Sequence, residues 1–82
     1  MLYRSLTRVS ELFNRGERNA ARLIAAARKE FAAESSVRLD YFEIVNPENL
    51  DAVEDVSRGA LVAVAAYVDT TRLIDNILLV PR

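Results

Sequence analysis

The residues best equipped for chemistry in this 82-residue chain are its carboxylates and arginines, because histidine and cysteine are both absent. No side chain has an ordinary pKa near 6.5, so the usual neutral-pH general base is missing. No thiol is there to attack a carbonyl, form a disulfide or hold a soft metal. Glu48, Asp51, Glu54 and Asp55 make the densest acidic stretch. It lacks the alternating Asp/Asn spacing and the turn glycine of a calcium loop, and runs of charge are mostly solvated faces. Two carboxylates acting as acid and base need a cleft. A chain this short buries only about 60% of its unfolded surface and has little room for one. A serine or threonine nucleophile has no base beside it. With only Gly16 and Gly59 there is no glycine-rich loop to cradle phosphates. The residues themselves offer no catalytic, cofactor-binding or metal-binding set.

The basic residues Arg4, Arg8, Arg15, Arg18, Arg22, Arg28 and Lys29 crowd the first third of the chain. Guanidinium forks suit phosphate oxygens, but Glu11, Glu17 and Glu30 interleave with them and make a mixed, soluble surface. In all, 11 Lys and Arg face 12 Asp and Glu, for a net charge of −1. That balance argues against nucleic acid as a partner. Tyr3, Tyr41 and Tyr67 fall on three different elements and form no stacking platform for bases. The most pointed cluster is Asp69-Thr70-Thr71-Arg72-Leu73-Ile74-Asp75-Asn76. Read plainly, it is a turn with threonine hydroxyls on nearby backbone and Arg72 paired with Asp69 or Asp75. Asp75 and Asn76 then sit inside an apolar strand and need partners, in the domain or across an interface.

The elements that carry these residues follow from periodicity. Leu2, Leu6, Val9 and Phe13 recur at helical spacing, with Leu12 widening the stripe. Gly16 suits the left-handed residue that closes a helix, and Asn19 suits the N-cap of the next. That second helix is expected over Ala20 to Ala33, burying Ala20, Leu23, Ile24, Ala27 and Phe31. The short link makes the pair an antiparallel hairpin. A strand is expected over Val37 to Asn46, ended by Pro47. Asn46 to Ser57 reads as a polar connection, followed by strands over Ala60 to Val68 and Arg72 to Val80, joined by a tight turn at 69–71. The expected architecture is one α+β domain over residues 1–82, in the order ααβββ, with a helical hairpin on one face of a small three-stranded antiparallel sheet.

An antiparallel sheet with one wet face alternates apolar and polar residues. The second strand does not. Leu61, Ala63, Ala65 and Tyr67 point one way and Val62, Val64, Ala66 and Val68 the other. The third strand sets Leu73, Ile77 and Leu79 against Ile74, Leu78 and Val80. Two short helices cover one face, so the other must meet loops, a second copy of the chain (a homodimer) or another domain. The longest apolar run, Ala60 to Val68, is far short of the roughly 20 residues a spanning helix needs. No signal-peptide pattern opens the chain. The expectation is a cytoplasmic protein without a membrane partner.

The stretch Ala63-Val64-Ala65-Ala66-Tyr67-Val68-Asp69-Thr70-Thr71-Arg72-Leu73-Ile74-Asp75-Asn76-Ile77 closely resembles the C-terminal end of the pantothenate synthetases, also called pantoate–β-alanine ligases. Leu39-Asp40-Tyr41-Phe42-Glu43-Ile44-Val45 looks like that family's "DY…V" strand. Leu2-Tyr3-Arg4-Ser5-Leu6 resembles the helix after its second nucleotide-binding motif. The resemblance implies an ATP-dependent condensation of pantoate with β-alanine through a pantoyl-adenylate, with ATP and magnesium held by an N-terminal nucleotide-binding domain. The family's His-x-Gly-His and lysine/serine motifs do not occur in this chain. It would therefore be a non-catalytic C-terminal lid, with that N-terminal domain as its partner. None of the family's catalytic or substrate-binding residues maps here. Thr71, Arg72, Asp75 and Asn76 are candidates for holding the hairpin and the domain contact. At Asp69 the family pattern more often has glycine, which takes turn conformations freely.

Overall fold

The computed structural model describes residues 2–81, with side chains described from Arg4 onward. The side chains of Leu2 and Tyr3, counted above in the first stripe and the tyrosine set, lie outside the described residues. Five elements follow in order: α1 (Leu2–Asn14), α2 (Ala20–Ala32), β1 (Val37–Val45), β2 (Ala60–Val68) and β3 (Thr71–Leu79). The expected ααβββ order holds. Boundaries differ by a residue or so where chain ends fray: α2 stops one residue early, with Ala33 as its C-cap. β3 begins at Thr71, which leaves a turn of only Asp69 and Thr70.

The helical hairpin closes by the devices its sequence announces. Gly16 takes φ +105°. Its N–H donates to Phe13 O at 3.0 Å, and Glu17 N–H donates to Leu12 O at 3.0 Å, the paired bonds that satisfy the last carbonyls of a helix. Asn19 Oδ1 accepts from Arg22 N–H at 3.1 Å and starts α2. Arg18 adds a link the sequence left unassigned. Its Nη1 donates to Phe13 O at 2.6 Å while its guanidinium lies 4.1 Å over the Phe13 ring.

The sheet runs β1-β2-β3, antiparallel throughout. The helices cover one face. Leu6, Val9 and Phe13 of α1 and Leu23, Ala27 and Phe31 of α2 pack on Phe42, Ile44, Val62, Val64, Ala66 and Leu79. Residues 46–59 are more than a polar connection, since they place Val56 in this core. Val56 N–H donates to Arg18 O at 2.9 Å, and Ala20 N–H donates to Glu54 O at 2.9 Å, tying the connection to the start of α2. The molecule is a slab with extents of 37, 26 and 17 Å, the thickness of two layers. Its accessible surface is 5429 Å². A compact protein of this mass exposes roughly 4,900 Å², so about a tenth of the surface is in excess.

Candidate functional site

Register decides which side chains reach the sheet face away from the helices. On β2 these are Leu61, Ala63, Ala65 and Tyr67, as the alternation predicts; on β3 they are Arg72, Ile74, Asn76 and Leu78. On β1 the alternation breaks. Leu39 pairs with Ala66 but Tyr41 with Ala65, so Asp40 is the extra residue of a β-bulge. The bulge keeps Leu39 on the helix side with Phe42 and Ile44, and turns Tyr41, Glu43 and Val45 outward. Nothing in the residue types alone announces this one-residue slip.

The bulge gathers a row of charged and aromatic groups at one end of the outer face. Arg38 pairs with Tyr67, and Tyr67 with Arg72, across the three strands. The Arg38 guanidinium lies 4.7 Å from the Tyr67 ring centre and that of Arg72 5.9 Å from the Tyr41 ring. Arg72 reaches over β2 to Asp40, with Nη2 3.0 Å and Nε 3.2 Å from Oδ2. The expected pairing of Arg72 with Asp69 or Asp75 is therefore replaced. Both of those carboxylates lie close in sequence, but Asp75 points to the opposite face and the bulge offers Asp40 instead. The tyrosines also fall differently from their scatter in sequence: Tyr41 and Tyr67 share one face. The pairing register is the signal that brings them together.

The four residues singled out at the third strand do not converge. Thr71 closes the turn opposite Val68, Arg72 and Asn76 lie on the outer face, and Asp75 lies on the helix side. Asp75 and Asn76 are exposed, so they are not the buried pair the apolar strand suggested. Asp75 Oδ1 accepts from Asn76 N–H at 2.8 Å. Beyond the row, the outer face is open along β3, with Ile74 59% and Leu78 61% exposed, whereas Val45 of β1 and Ala65 of β2 are buried. Of the five large apolar side chains exposed among the described residues, four (Leu73, Ile74, Leu78 and Val80) belong to β3 or the residue just after it.

The acidic stretch behaves as a solvated connection. Glu48, Asp51, Glu54 and Asp55 are all exposed. Among the described residues no three carboxylates are grouped to hold a metal ion. Asp55 accepts from Ser57 N–H at 2.7 Å. Hydrogen bonds from the Ser57 side chain and amide, aided by the charge of Arg18, hold the Asp55 carboxyl below its ordinary pKa of 3.8. Among the described residues no helix is long and apolar enough to cross a membrane.

Two helices packed on a three-stranded antiparallel sheet, with an arginine–tyrosine row on the face away from the helices, make up the fold of the described residues. Its relatives give the class. The chain is 46% identical over 79 residues to the pantothenate synthetase of Koribacter versatilis, covering 96% of this chain and 27% of that protein. It is 42% identical over 81 residues to a bifunctional pantoate ligase/cytidylate kinase of Synechococcus, covering 99% of this chain and 15% of that one. The crystal structure of the Thermus thermophilus pantothenate synthetase superposes with a TM-score of 0.88 at 35% identity, over 98% of this chain and 29% of that one. The profile of the pantoate-beta-alanine ligase family matches residues 1–78, and the chain belongs to that family. It spans little more than a quarter of the length of the pantothenate synthetases it matches.

Proposed function

We propose that this chain is the C-terminal lid of a ligase that condenses pantoate with β-alanine, and that it is non-catalytic by itself. The observation that carries the reading is the bare, largely apolar outer sheet face on a chain matching only part of its relatives. A domain that closes over a site needs such a face, and exposed apolar surface beside polar anchors marks an interaction site. The Arg38–Tyr67–Arg72 row would fix the orientation of closure, and Ile74 and Leu78 would exclude water.

In the complete enzyme a pantoate carboxylate oxygen attacks the α-phosphorus of ATP, and pyrophosphate leaves. The β-alanine amine then attacks the acyl carbon, AMP leaves with the bonding pair, and the amine loses a proton. The acyl-adenylate between these steps is open to hydrolysis, so a lid that excludes water protects it. In this reading ATP and magnesium are not held by this chain: among the described residues no three carboxylates are grouped, and Gly16 and Gly59 serve single turns. Binding of both belongs to the nucleotide-binding part, the partner this reading requires, in a cytoplasmic enzyme.

The test is β-alanine-dependent AMP release by the complete ligase carrying this domain, compared with a folded form lacking it. Loss of synthesis, or adenylate hydrolysed without β-alanine, is expected. A folded truncated enzyme that works as well as the whole would sink the reading.

A further inference from the structure

The connection between β1 and β2 holds a leucine against its backbone preference. Residues 46–51 close on themselves: Asn46 N–H donates to Asp51 O and Leu50 N–H to Asn46 O, each at 2.8 Å. The side-chain oxygens of Asn46 and Asn49 accept from Glu48 N–H at 2.8 Å and Asp51 N–H at 2.9 Å. The loop is pinned to the edge of β1, where Val45 bridges Ala52 and Val53 N–H donates to Ile44 O at 3.2 Å. At its tip Leu50 takes φ +63°, a left-handed conformation that crowds a bulky side chain and that glycine or asparagine adopts far more readily. Asp69, the other non-glycine residue with positive φ among the described ones, is of a type that tolerates it. The Leu50 side chain is nevertheless 64% exposed. Neither backbone nor burial within this chain favours leucine there, and strain of this kind gathers where contacts are made.

The surroundings say what Leu50 meets. It stands at the rim of a hollow of about 270 Å³ at the β1 edge, with Ile24, Val45 and Val53 in the walls. Glu43 on the same rim, and Glu48 and Asp51 on the loop, are exposed. The ion pairs among the described residues all engage other acids. The tip is therefore apolar within a ring of carboxylates that no cation of this domain neutralises. We propose that Leu50 is an anchor between this domain and the rest of the ligase, seated in an apolar recess of that larger part with Lys or Arg at its rim. Charge and length select this occupant. A second copy brought tip to tip about a twofold axis sets acid against acid, which like charges disfavour. Binding the arginine-rich hairpin of a copy would be head to tail, which gives rings or filaments rather than a pair. Nearly all of this chain matches little more than a quarter of the pantothenate synthetases. In a ligase of that length the larger part is tethered to this domain and meets it at high effective concentration. Leu50 thus trades stability of the domain for readiness of the contact. The inference rests on reading this chain as one domain of such a ligase, and it adds a contact at the β1 edge, apart from the open sheet face.

Radical footprinting of the Leu50 side chain, in this chain alone and in the complete ligase carrying it, reads the contact without reference to activity. Labelling should fall several-fold in the complete ligase and stay independent of concentration in the chain alone. Equal labelling in the two overturns the proposal. So does protection that appears in the chain alone as its concentration rises, which hands Leu50 to another copy. Three variants then separate tip from backbone. Leu50→Gly and Leu50→Asn ease the backbone and remove the tip. Thermal melting of the chain alone should hold or rise by a few degrees with either. In the complete ligase both should raise labelling of Ile24 and Val53 several-fold above the parent. Leu50→Met keeps an apolar tip and should leave those two protected. A Gly or Asn form as protected as the parent overturns the proposal. A Leu50→Gly chain melting well below the parent overturns it as well, since Leu50 would then serve the domain itself. The lid reading fails separately: a truncated ligase that works as well as the whole would sink it, while the footprint still decides the contact.

Discussion

The two faces of β2 are built from nearly the same residues and meet opposite fates. Val62, Val64 and Ala66 face the helices and are sealed, while on the other side Leu61, Ala63 and Tyr67 are half-buried and Ala65 alone is sealed. Composition therefore does not decide burial here; what lies across the face decides it. The helix side has a hairpin stapled by Gly16, Asn19 and Arg18. The outer side has only its neighbours in the sheet, a long arginine bridging the strands, and apolar tips left to solvent. A face that is apolar without being covered is what the proposed contact with the rest of the ligase would need.

Removing one leucine from each side gives the widest contrast. Leu23→Ala, in the sealed core, should cost about 3 kcal/mol because transfer and cavity terms add. Leu78→Ala on the open face should move stability by less than about 0.5 kcal/mol. Urea unfolding midpoints of the two variants check this, and equal losses would mean that the outer face is covered. Next comes the outer row. A double-mutant cycle on Asp40 and Arg72 should give a coupling near 0.5 kcal/mol, since both side chains are about 40% exposed and solvent screens the pair. The coupling should shrink in high salt, and a salt-independent value would mean that the pair is buried by a partner. Smaller again, Asp69→Gly should stabilise by a few tenths of a kcal/mol, about 0.5 at most. Asp69 holds φ +57°, where a Cβ is strained, and the greater freedom of glycine in the unfolded chain offsets part of the gain. Thermal melting of the variant reads this directly, and a lower midpoint would contradict it.

The smallest effect belongs to the connection. Asp55 has a carboxyl pKa lowered by folding, so the folded state holds its charged form better than the unfolded chain does. Its contribution is complete above the ordinary value of 3.8 and is lost as the pH falls through the lower folded value. The parent and Asp55→Asn should therefore converge in stability in that acid range. A gap that persists unchanged there would show that Asp55 acts through geometry rather than charge.

Much of this was legible from the residues. The helix stripe, Gly16, Asn19 and the two-faced β2 each state a local rule that the fold obeys. The β2–β3 hairpin was legible too, because a turn this short leaves one topology, although its loop is Asp69 and Thr70 alone rather than the three residues expected. Less was legible where a long side chain spans strands. Arg72 ends on Asp40, 32 positions away, because a bulge shifts β1 by one residue, and neither residue's type encodes that shift. Val56 hid in an acidic stretch for a related reason: a single apolar residue has no periodicity to reveal it. Asp75 and Asn76 were placed correctly on β3, but their exposure depends on an edge that only the strand order defines.

The two-residue turn at Asp69 and Thr70 also bears on how the chain finds its fold. Closing β2 on β3 needs almost no loop, whereas closing β1 on β2 must first order residues 46–59, and that entropy grows with loop length. The β2–β3 hairpin is thus the natural nucleus, with β1 and its bulge zipping on afterwards. In stopped-flow refolding, Asp69→Gly should then accelerate folding and leave unfolding nearly untouched. The strand with the least cover in the finished molecule would be among the first to form.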